Sequence, residues 1–218
     1  MPKVDFSLYL ITDRHQVSGR SLSSAVGEAL KNGARAVQIR EKDLLVRPLL
    51  MLARDIQAQA VQCGACCFIN DRVDVCLSVP GAGIHLRSDS LPTDKVRQLV
   101  GSDRFVAVST HTVDEVERAE QQGADFVVLG PIYDTPSKRS FGPPIGLDVL
   151  AAARQKTNIP IFAIGGITQA VIGEVIHAGA FGVAMISTIM SSPRVGVTTR
   201  AICREIAHHR NLLGSFDY

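Results

Sequence analysis

Short apolar runs alternate with longer amphipathic stretches along the whole chain. The runs are SLYLIT (7–12), ARAVQIR (34–40), CCFIN (66–70), GIHLR (83–87), FVAVS (105–109), DFVVLG (125–130), PIFAIG (160–165) and FGVAMIS (181–187). They are rich in β-branched residues and nearly continuous in hydrophobicity. That is the pattern of strands buried on both faces of a parallel sheet. Helical periodicity covers 21–32, 47–63, 92–100, 112–122, 146–157, 168–178 and 193–209, with a weaker stretch at 73–79. Four helix-to-strand junctions repeat one phrase: Gly33-Ala34, Gly81-Ala82, Gly123-Ala124 and Gly179-Ala180. A glycine there ends the helix in a left-handed cap before the chain turns into the next strand. Thr112 with Glu115 three residues on is a capping box, and Pro92 with Thr93 and Asp94 is a helix start.

Eight strands alternating with eight helices demand parallel strands and right-handed crossovers. For 218 residues this predicts an α/β fold, a single (β/α)8 TIM barrel forming one domain over 1–218, in preference to an open doubly wound sheet. The longest irregular segment, 130–144, follows the sixth strand. Loops of that length in a compact barrel serve as binding loops or lids.

Composition narrows the partners. The chain carries 23 basic and 21 acidic residues, a net charge of +2. This is too balanced for a nucleic-acid or anionic-membrane surface. The first apolar run meets Asp13 before it could form a signal-peptide core, and no stretch is long enough to span a bilayer. A cytoplasmic location is expected, and assembly as a homo-oligomer is left open. Cys63, Cys66, Cys67, Cys76 and Cys203 include one C-x-x-C without a second ligand pair, so packed, reduced thiols are the better reading.

Active sites of such barrels form where strands end. Those ends carry Gln38, Arg40, Glu41 and Lys42, then Asn70, Asp71 and Arg72. His85, Arg87, Ser88, Asp89 and Ser90 follow the fourth strand; Ser109, Thr110 and His111 the fifth. The long loop holds Thr135, Ser137, Lys138 and Arg139. Gly165-Gly166 and Ser187-Thr188 end the last two strands. Arg40, Lys42 and Lys138 are cations suited to a multiply charged anion, although each taken singly reads as a solvated surface charge. Gly165-Gly166 leading straight into a helix suits a phosphate, with Ser187-Thr188 completing the cradle; a plain tight turn is the alternative. Asn70-Asp71 suits Mg²⁺, or equally a turn and helix cap. No nucleophile arrangement is present. His85 reads as a satisfied core histidine, and His111 as the acid/base candidate near the site.

The phrases LYLITDR, GARAVQIREKD, FINDRVDVCL, GAGIHL, VSTHT, GADFVVLGPIYDTPSK, GPPIGL, IPIFAIGGIT and GAFGVAMIS span nearly the whole chain in order. Together they resemble the thiamine phosphate synthase and thiazole tautomerase superfamily. In the synthases, diphosphate leaves a hydroxymethylpyrimidine and a phosphorylated thiazole captures the cation. The resemblance implies that Gln38, Arg40, Lys42 and Asn70 contact the pyrimidine diphosphate. It implies that Ser109 and Lys138 contact its diphosphate group and that Asp71 binds Mg²⁺. Thr135, Ser137, Gly165, Gly166, Ile186 and Ser187 would hold the thiazole phosphate. The synthases usually carry Gly-Gln-Glu-Asp after the fourth strand, where this chain has Arg87-Ser88-Asp89-Ser90. Ser90 stands at the position of the usual second Mg²⁺ ligand, Asp89 falls one residue early, and Arg87 replaces a glycine. The tautomerases instead shuttle protons without metal, and their catalytic histidine aligns near Pro131, leaving His111 to take that role. The expectation is a transferase making thiamine phosphate. The alternatives are an isomerase acting on the carboxythiazole phosphate and a barrel that only binds these precursors.

Overall fold

The computed structural model describes residues 3–17, 19–135, 139 and 142–214. Its strands are β1 (Leu8–Ile11), β2 (Ala36–Ile39), β3 (Cys66–Asn70), β4 (Gly83–Leu86), β5 (Val106–Thr110), β6 (Phe126–Leu129), β7 (Ile161–Ala163) and β8 (Gly182–Met185). Each runs parallel to the next, and β8 pairs with β1 through Tyr9 opposite Ala184, closing the predicted barrel. The surrounding helices are α1 (Leu22–Lys31), α2 (Val46–Gln62), α3 (Val73–Leu77), α4 (Thr93–Val100), α5 (Val113–Gln121) and α6 (Gly146–Arg154). They are followed by α7 (Ile172–His177), α8 (Ser187–Met190) and α9 (Val195–Leu212).

Several helical details differ from the periodicity, among them α3, which ends at Leu77 short of 79, and α6, which ends at Arg154 short of 157. A 3-10 turn at Gln169–Val171 separates the Gly165-Gly166 turn from α7, so the glycines do not lead directly into an α-helix. The single turn α8 is an element the periodicity does not predict, because four residues are too few to show a helical period. The last helix starts at Val195 and runs to Leu212, beyond the predicted end.

Alternation within each strand sorts the core into two layers. Tyr9, Ala36, Phe68, Ala107, Phe126, Val128, Phe162 and Ala184 face inward, joined by Phe6 from the segment before β1. Leu10, Val37, Ile39, Ile69, Ile84, Val106 and Val127 face outward against the helices. The aromatic rings fill the barrel floor, with Phe126 5.1 Å from Phe162 and Tyr9 5.2 Å from Phe68. This leaves no room at Gly182, where a Cβ would lie 2.2 Å from the Ser7 carbonyl oxygen and 2.9 Å from Phe162. Gly182→Ala is therefore expected to cost about 1–3 kcal/mol of stability. The measurement is a lower urea midpoint at an unchanged slope; an unmoved midpoint would show that the floor yields freely.

All five cysteines are free thiols. Burial pushes Cys66 up to about 11 and Cys67 higher still, so both stay protonated and act as packing groups. Among the described residues no helix is long and apolar enough to cross a membrane.

Candidate active site

With aromatics below, the inward positions nearer the C-terminal ends of β2 to β5 are polar: Gln38, Asn70, His85 and Ser109. Gln38 Nε2 donates to Asn70 Oδ1 at 3.1 Å. The Gln38 side chain is buried, and its Oε1 has no donor among the described residues. Buried acceptors are normally satisfied, so a group missing from the protein is the natural partner.

His85 lies between two hydroxyls. Its Nδ1 is 3.1 Å from Tyr9 Oη and its Nε2 is 2.8 Å from Ser109 Oγ. The imidazole also stacks on Tyr9, with ring centroids 5.7 Å apart. Burial, helped by the nearby Arg40 charge, pushes the histidine down to about 3, so it is neutral. The buried Tyr9 hydroxyl finds its acceptor in Nδ1, which assigns the proton to Nε2. Nε2–H then donates to Ser109 and leaves the serine's own proton for an anion. The reading of His85 as a satisfied core histidine agrees with these contacts, but one of its partners is a predicted site residue.

The end of β2 is held by a clamp that the sequence reading did not single out. Thr12 Oγ1 donates to the buried Glu41 at 2.6 Å and accepts the Arg40 backbone N–H at 3.0 Å. Arg14 donates to Glu41 at 3.2 Å and to Asp43 at 2.5 Å. Glu41 thereby ties the β1 loop to the β2 loop and sets where Arg40 and the exposed Lys42 stand. Burial, with the Arg87 charge adding to it and Asp13 opposing, holds the Arg40 guanidinium below its ordinary value. A guanidinium stays charged regardless, so Arg40 is a partly desolvated cation that gains by meeting an anion.

Asp71, Asp89 and Ser90 do come to the same rim. Asp71 is the one non-glycine residue with positive φ (62°) among those described, a conformation aspartate tolerates better than most. Its Oδ1 accepts from the Ser90 hydroxyl, and its Oδ2 lies 3.5 Å from Arg87 Nη1. Arg87 Nη2 also pairs with Asp89, while the Arg87 backbone N–H donates to Ser90 Oγ at 2.8 Å. These residues do not fit a Mg²⁺ ion held between two carboxylates. Position 90 supplies a neutral hydroxyl already bonded to Asp71, and a guanidinium lies against both carboxylates. No group of three His, Cys, Asp or Glu among the described residues could hold a metal.

On the opposite side, Gly165 (φ 98°) and Gly166 (φ 65°) pack against the loop after β6. A Cβ at Gly165 would lie 2.5 Å from Pro131 Cβ, and one at Gly166 2.7 Å from the Asp134 carbonyl oxygen. Tyr133 N–H donates to the Gly165 carbonyl at 3.0 Å. Thr188 Oγ1 reaches the Ile167 carbonyl at 3.2 Å, tying this turn to the Ile186-Ser187 start of α8. Thr135 sits half-buried on the same loop. Ser137 and Lys138 lie outside the described residues. His111 donates through Nδ1 to the Gly130 carbonyl at 2.5 Å, and its N–H goes to Glu115 at 2.6 Å. Its ring is thus tied to Gly130, the residue before Pro131.

A closed parallel barrel with amide, hydroxyl and guanidinium groups on one side of its C-terminal rim and a glycine turn on the other defines an enzyme class. Barrels of this kind frequently carry a phosphate site at the loops after their last two strands. The family model described as thiamine monophosphate synthase matches residues 8–189, and the chain belongs to that family. A relative from Geobacter sulfurreducens is 49% identical over 202 residues, covering 93% of this chain and 95% of the relative. The thiamine-phosphate synthase of Roseiflexus sp. is 40% identical over 200 residues, covering 92% and 85%. Among solved structures, thiamine phosphate pyrophosphorylase from Pyrococcus furiosus superposes with a TM-score of 0.85 at 29% identity, covering 94% of this chain and 96% of that one.

Proposed function

We propose that the chain is a transferase of thiamine biosynthesis. It joins hydroxymethylpyrimidine diphosphate to thiazole phosphate and releases diphosphate. The observation that carries this reading is the orphan Gln38 Oε1, a buried acceptor beside Asn70 at the barrel mouth. The exocyclic amine of an aminopyrimidine supplies the missing donor, with the diphosphate then directed toward Arg40 and Ser109. Family membership supports the same pair of substrates.

In the reaction, the bond between the hydroxymethyl carbon and the bridging diphosphate oxygen breaks heterolytically. The electron pair leaves with the diphosphate, and the thiazole nitrogen lone pair forms the new C–N bond, giving a thiazolium. No proton has to be removed, so the neutral His85 and the absence of a nucleophile arrangement are consistent with this chemistry. The chain's work is positioning and electrostatics. Arg40 and Ser109 meet the charge that develops on the leaving group, Lys42 and Lys138 add positive charge around it, and Gly165, Gly166, Ile186, Ser187 and Thr135, with Ser137, hold the thiazole phosphate. His111 is given no step, and none passes through a metal.

The test supplies both substrates to purified protein and follows diphosphate release and thiamine phosphate formation. Product is expected from the wild type. Gln38→Leu removes both the orphan acceptor and the donor to Asn70, and should lower kcat/KM for the pyrimidine substrate about 10- to 100-fold. No product under any condition, with or without Mg²⁺, would sink the synthase reading.

A further inference from the structure

We infer that Arg87 supplies, from within the chain, the positive charge that a divalent cation would otherwise bring to the departing diphosphate, so that turnover does not depend on a bound metal. The inference rests on the synthase reading above.

The geometry begins with a tight turn. Ser90 N–H donates to the Arg87 carbonyl at 3.2 Å, and the Arg87 N–H returns to Ser90 Oγ at 2.8 Å. The turn folds residues 87–90 back over the end of β3 and carries the guanidinium to Asp71. There the two carboxylates act as holders: Asp71 Oδ2 at 3.5 Å from Nη1, and Asp89 bonded to Nη2. A guanidinium has five N–H donors in a planar fork, so three remain for phosphate oxygens once these two are engaged. The Arg87 side chain is 40% exposed, so those donors are within reach of a ligand at the rim.

Arg87 also shares its field with the other predicted anion-binding cations. It is close enough to Arg40 to disfavour that residue's charge, and Lys42 is close enough to Asp89 to favour the carboxylate. Three cations from β2 and β4 therefore face one region of the rim. A divalent ion arriving at Asp71 would have to displace the Ser90 hydroxyl and stand against the guanidinium. Mg²⁺ demands a near-ideal shell of oxygen ligands and loses its waters reluctantly, which makes that exchange unfavourable. Arginine forks, by contrast, bind diphosphate directly.

Three proteins test the inference: the wild type, Arg87→Gln, and the double variant Arg87→Gly with Ser90→Asp. Each is titrated with inorganic diphosphate in EDTA by calorimetry and with Mn²⁺ by electron paramagnetic resonance. Each is also assayed with Mg²⁺ and with EDTA. The wild type should bind diphosphate without metal and keep its rate within ~3-fold in EDTA. Arg87→Gln should weaken metal-free diphosphate binding by about tenfold or more. The double variant should bind one Mn²⁺ and lose its rate in EDTA. A wild type that binds Mn²⁺ at one site and falls about 100-fold in EDTA would overturn the inference, as would unchanged metal-free diphosphate binding in Arg87→Gln. A protein that makes no product in either medium, yet binds diphosphate through Arg87, would remove the synthase reading while supporting the assignment of Arg87.

Discussion

Arg40→Ala is expected to lower kcat/KM for the pyrimidine diphosphate by about 10²–10³-fold, with kcat falling in parallel. The side chain is partly desolvated at the barrel mouth, where charge interactions are stronger than in bulk water. Its cation serves the leaving group most when the C–O bond is breaking, which is why kcat and not KM alone should fall. The fold should survive, because the Arg40 contact that holds the β2 end is its backbone N–H to Thr12, which alanine keeps. Arg40→Lys should recover part of the rate, since it restores charge without the two-pronged fork. Steady-state kinetics with the pyrimidine substrate varied, beside urea midpoints for each protein, check this. A loss under about fivefold in the alanine variant would place the leaving group elsewhere.

The second large effect concerns His85 and pH. In the folded chain the imidazole is pushed down to about 3, whereas an unfolded histidine titrates near ~6.5. Between these values the unfolded state binds a proton that the folded state refuses. The histidine's contribution is thus fully present above ~6.5 and lost as pH falls toward 3. From pH 7.5 to 5 the loss amounts to about 2 kcal/mol. His85→Leu removes this titration, so the stability gap between wild type and variant should narrow by about that much over the same interval. Groups common to both proteins cancel in the difference. At pH 7.5 the variant should be less stable by about 2–5 kcal/mol, because the buried Tyr9 hydroxyl loses its acceptor. A gap that stays constant from pH 7.5 to 5 would show that the folded histidine accepts the proton.

Much of the barrel is legible in the order of residues alone, for a physical reason. A parallel strand buried on both faces has to be apolar throughout, and a helix covering it has to be amphipathic, so the two kinds of segment stand out along the chain. The glycine junctions read equally well: Gly33, Gly123 and Gly179 all adopt positive φ. The same uniformity hid the site. When both faces of a run are apolar, hydrophobicity does not say which residues point inward, so Gln38, Asn70, His85 and Ser109 were found as strand-end residues and not as one interior set. The helix after Gly165-Gly166 was placed too early because 3-10 and α turns share nearly the same local pattern. The roles of Thr12, Glu41 and Tyr9 are not legible in the sequence because they consist of contacts with partners 27 to 76 residues away.

The linear order of residues was enough for the eight-fold alternation, the placing of chemistry at strand ends and the likeness to one enzyme family, all of which follow from local periodicity and motif. Closure of the barrel decided the rest. It left Gln38 Oε1 without a donor among the described residues, set a neutral histidine between Tyr9 and Ser109, and laid Arg87 across Asp71 and Asp89. Apart from the local Arg87–Asp89 pair, each of these joins residues of different strands that are far apart in the chain, and such contacts acquire an energy only once the closed barrel brings them together.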